Sequence, residues 1–293
     1  MTPSFTQHLA TRRDSLPGQL QKAADWIAAN PQDVALLSMR EQARRAGVQP
    51  ATMTRLAQAL GYDGYEAVRG LHGDALRDAR TGLAATAAGR NRLQATSPDA
   101  AAAAMLAHAS TQIGALATPQ LLASLAKAAE TMADARQIYC LGLRSSHAVA
   151  WHVWYALSLI TDRAVLLDGA GGVGLDTLAR AQAGDVLFAC GVAPYTRSAV
   201  ETVLQARAQG LRVIALTDSP LSPLVSTDDP ALIVPTDSAS FLHSMSPAFA
   251  VAEILVALIA RGADPAILDR LHGLDQQLAR FNTYYPKPAR DLS

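Results

Sequence analysis

The run Gln137-Ile138-Tyr139-Cys140-Leu141-Gly142-Leu143-Arg144-Ser145-Ser146-His147 (QIYCLGLRSSH) decides the fold of the larger part of this chain. Its first five residues are mostly apolar, with β-branched and aromatic members, and read as a short buried strand. The glycine and polar residues after them read as a turn into a helix over 147–160. The same unit recurs downstream. Residues 164–167 read as a strand and 174–181 as a short helix. VLFAC at 186–190 reads as a strand and 198–209 as a helix. LRVIAL at 211–216 is a further strand, 232–234 begins a fifth, and 247–261 is the helix behind it. Apolar strands separated by helices predict an α/β domain, a five-stranded parallel sheet with helices on both faces. Ligands of such sheets bind beyond the strand C-terminal ends, which points to residues 142–147, 168–174, 191–198 and 217–222. A last helix, about 265–281, leads into a polar tail, 282–293.

Upstream the texture is all-helical. Residues 20–29 are amphipathic, with Leu20, Ala23, Ala24, Ile27 and Ala28 on one face, and Asn30-Pro31 ends that helix. Further helices are expected over 39–46, 51–60 and 65–76, with Gly61 as the residue after the third. Between Met39 and Leu60 the spacing Ala43, Gly47, Met53, Leu56 suits a helix-turn-helix. A small residue lets the helices approach, glycine takes the turn, and apolar residues of the second helix pack on the first. Pro50 suits the first turn of the recognition helix. The positions expected to be exposed there are Gln49, Ala51, Thr52, Thr54, Arg55 and Gln58, residue types that read base edges or hold phosphate. An ordinary helical hairpin is the plainer alternative. Residues 78–135 are rich in alanine, with Gly89, Pro98 and Pro119 as breaks, and read as two or three helices serving as a spacer or an oligomerisation element. The expected organisation is a multidomain chain: an all-α helix-turn-helix domain at 1–80, a helical linker at 81–135, the α/β domain at 136–281 and the tail.

Composition bounds the function. A chain of 293 residues suits two domains, and 50% hydrophobic against 17% charged residues excludes a disordered protein. The net charge is zero, but residues 1–92 hold 12 Lys and Arg against 8 Asp and Glu, while residues 93–293 hold 13 against 17. A mildly basic N-terminal module on an acidic body hints at nucleic acid. Cys140 and Cys190 stand far apart with no C-x-x-C, which argues against a disulfide scaffold or structural zinc and fits a reducing cytoplasm. Arg12, Arg13, Asp14 and Pro17 occupy the place of a leader's apolar core, and Glu253 interrupts the best apolar stretch, 246–260. No membrane partner, metal or cofactor is expected.

The segment AGVQPATMTRLAQALGYDGYEAVR, residues 46–69, resembles the N-terminal domain of the RpiR-type transcriptional regulators. Their run is about A-G-V-S-x-A-T-V-x-R-F-x-x-x-L-G-[FY]-x-G-[FY], and Thr52, Arg55, Leu60, Gly61, Tyr62, Gly64 and Tyr65 match it. Gln49 departs from the serine that would cap the helix. The family also carries a sugar-isomerase (SIS) domain that binds phosphosugars, and the resemblance spans about residues 16–280. The first SIS signature, near G-x-G-x-S-x-x-x-A, is met by Gly142, Ser146 and Ala150, with Arg144 in place of the second glycine. Ser146 is expected to open the next helix and favour an anion there. The second, about S-x-S-G-x-T, has become Gly191, Ala193, Pro194 and Thr196 within Pro194-Tyr195-Thr196-Arg197, as in a subgroup with arginine in the first loop. The third, T-D-x-x-x-S-P-L, stands intact from Thr217 to Leu224.

The resemblance implies a regulator that binds double-stranded operator DNA and senses a small anionic metabolite, sugar-phosphate-like or sugar-acid-like, as a homodimer or homotetramer. Gly142, Arg144, Ser145, Ser146, Tyr195, Thr196, Arg197, Thr217, Asp218, Ser219 and Ser222 are the expected effector site. Arg144 and Arg197 would clamp a carboxylate or phosphate; alternatively, they pair with Asp168 or Asp218. No catalytic residue is expected, although a sugar-phosphate isomerase-like enzyme with a helical appendage is the other reading. His147, His152, His243 and Glu253 would be its acid–base groups. His147 and His152 lie about 140° apart around one helix, and each of the four reads as a packed or surface residue. Residues 169–174 fit G-x-G-x-x-G, but they follow the second strand and precede a short helix, so a loop is the better reading. Trp151, Trp154 and Tyr155 read as core or subunit interface.

Overall fold

The computed structural model describes residues 16–80, 97–169, 175–238, 240, 242–261 and 266–285. In the N-terminal unit the amphipathic stripe of the first helix builds the core. Ala23, Ala24 and Ile27 of α1 (Gly18–Ala29) are buried against Val34, Ala43, Met53, Leu56, Ala57, Leu60, Tyr65 and Val68. These come from α2 (Pro31–Leu36), α3 (Met39–Ala46), α4 (Pro50–Ala59), the residue after α4, and α5 (Tyr65–Arg80). Helix α2 is not expected from the sequence, where Asn30-Pro31 reads as a stop; the same proline also suits the first turn of a new helix.

Helix α3 has well-made ends. The Ser38 hydroxyl accepts from the Glu41 N–H, and Gly47, at φ 63°, takes the left-handed position that closes the helix. Lys22 Nζ donates to the Gly47 carbonyl at 3.3 Å, fastening the turn to α1. Gln42 is fully buried. Its amide donates to the Val34 and Leu37 carbonyls at 3.0 and 2.7 Å, and its oxygen accepts from Tyr65 Oη at 2.5 Å. One polar side chain thus ties α2, α3 and α5 together.

The second unit is the expected parallel sheet: β1 (Ile138–Gly142), β2 (Ala164–Leu166), β3 (Val186–Cys190), β4 (Arg212–Thr217) and β5 (Ala231–Ile233), in the order β2-β1-β3-β4-β5. Every pairing is parallel, with Gly142 opposite Cys190. Side-chain alternation splits the strands between two cores. Ile138, Cys140, Phe188, Cys190, Ile214 and Leu216 pack beneath α7 (Pro119–Ala133), α8 (His147–Ile160) and α10 (Ser246–Arg261). Tyr139, Leu141, Leu187, Ala189, Val213 and Ala215 pack beneath α9 (Arg197–Ala208) and the short 3₁₀ turn Asp176–Arg180. Helix α11 (Ala266–Arg280) packs on α8, with Arg270 paired to Asp162.

Of the alanine-rich stretch, α7 buries Leu121, Leu125, Ala128 and Met132 in the first of these cores. Helix α6 (Pro98–Gly114) packs on α10 and buries Gln112, whose amide donates to the Asp237 carbonyl at 2.9 Å; His108 Nε2 lies 3.2 Å from the same oxygen. Residues 170–174 of the glycine-rich loop, 81–96 of the expected linker, 1–15 and 286–293 lie outside the described residues. Among those described, no single helix is long and apolar enough to cross a membrane.

Tyr65→Phe leaves the buried Gln42 oxygen without its donor. We expect a loss of about 1–3 kcal/mol in the stability of the N-terminal unit, read as a lower urea midpoint with an unchanged slope.

Candidate functional site

On the N-terminal unit, Gln49 caps α4 only by its extended backbone, with no side-chain bond, as expected where serine is replaced. Gln49, Ala51, Arg55 and Gln58 are exposed and Thr54 is half-buried, its hydroxyl 3.7 Å from Met39 Sδ. The exposure expected of Thr52 is corrected: it is 3% exposed. Thr52, Met53, Leu56 and Ala57 form one helical stripe that faces the core, so Thr52 has no base edge to read. Its hydroxyl accepts from Arg55 Nη2 at 3.4 Å and restrains that guanidinium.

Charge on this unit is partly spent internally. Arg44 binds Glu41 through two nitrogens at 2.6 and 2.8 Å, and Arg45 reaches Glu41 at 3.0 Å and Asp33 at 2.8 Å. Hydrogen bonds from Arg44 and then Arg45 hold the Glu41 carboxyl down at about 2. Among the described residues Arg40 and Arg55 make no ion pair.

In the sheet the strand order reverses between β1 and β3, so the crevice of a doubly wound sheet opens between their following loops. Gly142 ends β1. A Cβ there would stand 2.4 Å from the Ser146 carbonyl oxygen and 2.7 Å from Ala150 Cβ, so only glycine lets α8 approach the strand. Arg144 adopts φ 55°, the left-handed conformation that a glycine takes without strain, and its side chain is exposed. The structure thereby explains the glycine of the SIS signature and marks Arg144 as a strained replacement.

Ser146 does not cap α8. Its backbone is already helical, at φ −76° and ψ −15°, and it makes no side-chain cap bond. It is 3% exposed and lies close to the Cys190 thiol of β3. Burial pushes that thiol up to about 12, with Ser146 acting in the opposite sense. The role expected of Ser146 is therefore corrected: it is buried and makes no cap at the helix start, which leaves its hydroxyl little surface to offer an anion.

In the loop after β3, the Ala193–Pro194 peptide is cis. Tyr195 Oη donates to Asp218 Oδ1 at 2.8 Å, the Ala193 N–H donates to Oδ2 at 3.2 Å, and Thr217 Oγ1 reaches Oδ1 at 3.3 Å. Burial, then the Asp218 charge, raises the Tyr195 phenol well above the usual tyrosine range. Asp218 is thus satisfied by a phenol and an amide, not by an arginine. Neither Arg144 nor Arg197 makes an ion pair among the described residues, which corrects the alternative that paired them with Asp168 or Asp218. Arg197 is exposed at the first turn of α9, and Thr196 precedes it without a side-chain cap. Ser219 and Ser222 shape their own loop, accepting from the Leu221 and Leu224 N–H groups at 3.1 and 3.3 Å.

His243 departs from the sequence reading. Expected as a packed or surface residue, it lies with Nε2 2.6 Å from Ser145 Oγ. The two are 98 positions apart, Ser145 in the 3₁₀ turn Arg144–Ser146 and His243 in an irregular connection, and no spacing rule links them. His152 packs edge-on to Phe249 at 5.8 Å, and Glu253 is exposed on α10. Among the described residues no group of three His, Cys, Asp or Glu is placed to hold a metal ion.

Comparison with known proteins matches two families along this chain: a helix-turn-helix domain of the rpiR family over residues 5–72, and a SIS domain over 131–258. The chain belongs to the RpiR family of transcriptional regulators. An uncharacterized HTH-type transcriptional regulator of Caldanaerobacter subterraneus subsp. tengcongensis is 26% identical over 250 residues, covering 82% of this chain and 84% of that protein. Two solved structures share the fold. The sugar isomerase domain of an RpiR transcription factor from Sphaerobacter thermophilus covers 59% of this chain and 97% of its own, at TM-score 0.55 and 24% identity. The Vibrio vulnificus NanR protein, complexed with ManNAc-6P, covers 95% and 99%, at TM-score 0.50 and 21% identity. This RpiR chain therefore joins a helix-turn-helix DNA-binding unit to a SIS domain, as regulators of the family do.

The Tyr195 phenol is raised in the folded state, so its contribution to stability is whole below about pH 10 and is lost as pH rises past the unfolded tyrosine value. We expect the urea midpoint to fall above pH 10, and to fall less steeply in Tyr195→Phe. Equal slopes in the two proteins would show that the clasp on Asp218 does not resist ionisation.

Proposed function

We propose that this protein regulates transcription by binding operator DNA through α4 and by sensing a small anionic metabolite, of sugar-phosphate or sugar-acid type, at the β1/β3 mouth of its SIS domain. The observation that carries the effector site is Arg144: an exposed guanidinium with no ion pair among the described residues, on a backbone conformation costing about 1–2 kcal/mol for a side-chain-bearing residue, at the crevice of the sheet. Arg197 supplies a second charge from α9, and Ser145 and Thr196 supply hydroxyls. Gly142 and the residues Tyr195, Thr217, Asp218, Ser219 and Ser222 shape the loops around them. A ManNAc-6P complex in NanR, a protein of the same fold, supports a phosphorylated sugar as one candidate class.

The DNA contacts we propose are Gln49, Arg55 and Gln58, with Thr54 at the margin and Thr52 acting only through Arg55. The isomerase-like reading is the weaker one. The second loop lacks the serine hydroxyls of the SIS signature, and Glu253 points to solvent.

Residues 97–135 belong in this reading to the effector unit, because α7 shares its core. A second copy completes the assembly. On α8, Trp151 and Tyr155 are 43% and 41% exposed with their rings stacked at 5.2 Å, and Ile254 is 46% exposed on the adjoining α10. Single recognition helices read too few bases, whereas a dimer reads two half-sites. The proposed setting is the cytoplasm, with the protein on its operator. The effector acts by unequal affinity for two arrangements of the protein.

Footprinting on the DNA upstream of the protein's own reading frame tests the regulator. Arg55→Ala is expected to keep the fold and to lose about 1–3 kcal/mol per half-site if it reads guanine. If it holds phosphate, binding weakens equally on all sequences and the salt slope falls by about one. Light scattering of the same sample should give a dimer or larger; a monomer at micromolar concentration contradicts the assembly.

Calorimetric titration with hexose phosphates and sugar acids tests the effector site. Arg144→Ala and Arg197→Ala should each weaken the tightest ligand about tenfold or more, the worth of a hydrogen bond to a charged group. Tight binding that both variants leave unchanged would remove the arginines from the site.

A further inference from the structure

Helices α8 and α10 lie side by side on one face of the sheet, and their N-terminal ends carry the loops that bear Ser145 and His243. Strands β1 and β5 are not neighbours, since β3 and β4 stand between them. The Ser145–His243 contact therefore bridges two distant strand ends along the helix layer. The backbone beneath His243 is held independently of the mouth. Ser244 N–H donates to the Thr236 carbonyl at 3.0 Å, and the next carbonyl, Asp237, accepts from Gln112 on α6. A ring anchored this way reaches Ser145 at 2.6 Å.

A serine hydroxyl has one proton and two lone pairs. If Ser145 gives its proton to His243, it shows only lone pairs to the mouth, and these repel a phosphate or carboxylate oxygen. If Nε2–H of His243 donates to Ser145 Oγ, the Ser145 proton is released toward the ligand. An anion can use Ser145 only in the second arrangement, so the protonation of one ring nitrogen fixes the polarity of the hydroxyl.

Resting on the effector reading above, we infer that His243 is a positioning residue for the effector: its Nε2–H holds Ser145 Oγ as an acceptor and turns the Ser145 O–H on to the ligand's phosphate or carboxylate. The shared ligand chemistry is an anionic oxygen acceptor beside Arg144. His243 need not touch the ligand.

The test is calorimetry on the full chain with N-acetylmannosamine 6-phosphate, glucose 6-phosphate and gluconate, which separate phosphate from carboxylate. For the tightest of the three, His243→Leu should weaken binding about tenfold or more, as Ser145→Ala does. His243→Gln, whose amide N–H can still donate, should stay within about threefold of the native protein. In the Ser145→Ala background, His243→Leu should add nothing, because the two act as one unit. Thermal midpoints of the variants check that the fold is kept. Native affinity in His243→Leu, with Arg144→Ala still weakened, overturns this inference and leaves the effector site standing. Equal losses in the Gln and Leu variants also overturn it, since the donor would not be what matters. If none of the three binds the native chain, or Arg144→Ala binds them as the native protein does, the effector reading fails and this inference with it.

Discussion

The missing side chain at Gly142 is the constraint on which the mouth depends. The first turn of α8 passes so close to the end of β1 that any Cβ would strike the Ser146 carbonyl oxygen, which the backbone cannot move away. That approach buries Ser146 close to Cys190 of β3. It also forces the chain through a left-handed residue at 144 before the helix begins. The loop is thus tight for steric reasons, and only Arg144 and Ser145 present side chains outward.

The second loop is governed by a carboxylate. Asp218 gathers Tyr195 Oη, the Ala193 N–H and Thr217 Oγ1, three donors that an arriving anion would otherwise use. Proline at 194 removes a fourth N–H. The loop after β3 therefore has little left to offer an anion, and among the described residues Asp218 leaves Arg144 and Arg197 without an ion pair. Internal satisfaction of Asp218 and availability of the arginines are two sides of one balance.

The fold was legible because it rests on local signals. Strand β3 and helices α3 and α8 begin and end where hydrophobic runs, caps and glycines place them, and the other strands shift by a residue or so. What the sequence hid is of another kind. Thr52 looked exposed because the apolar stripe seen in the sequence was Met53 and Leu56; the stripe is wider, and a threonine fits its edge. The Ser145–His243 contact joins positions 98 apart, one in a single 3₁₀ turn and the other in an irregular connection, and no periodicity reports such a pair. Tyr195 on Asp218 was equally hidden, although both residues were expected at the mouth: a list of polar residues at strand ends does not say which of them consume one another.

The two helices of the alanine-rich stretch show how composition misleads about attachment. Helix α7 drives Leu121, Leu125 and Met132 into the sheet core, and its hold is apolar. Helix α6, with a similar alanine content, leaves Met105, Leu106 and Ile113 exposed and buries only Gln112. That glutamine donates to the Asp237 carbonyl, while its own Oε1 is buried with no partner among the described residues. A half-satisfied amide gains little net free energy from burial, since the desolvation of one end offsets the bond made at the other. Alanines on the exposed face favour the helical conformation but add almost no docking area. The stability of α6 as a helix and the strength of its attachment are therefore separate quantities: the first comes from its sequence, and the second rests on a few polar contacts to the connection that also carries His243.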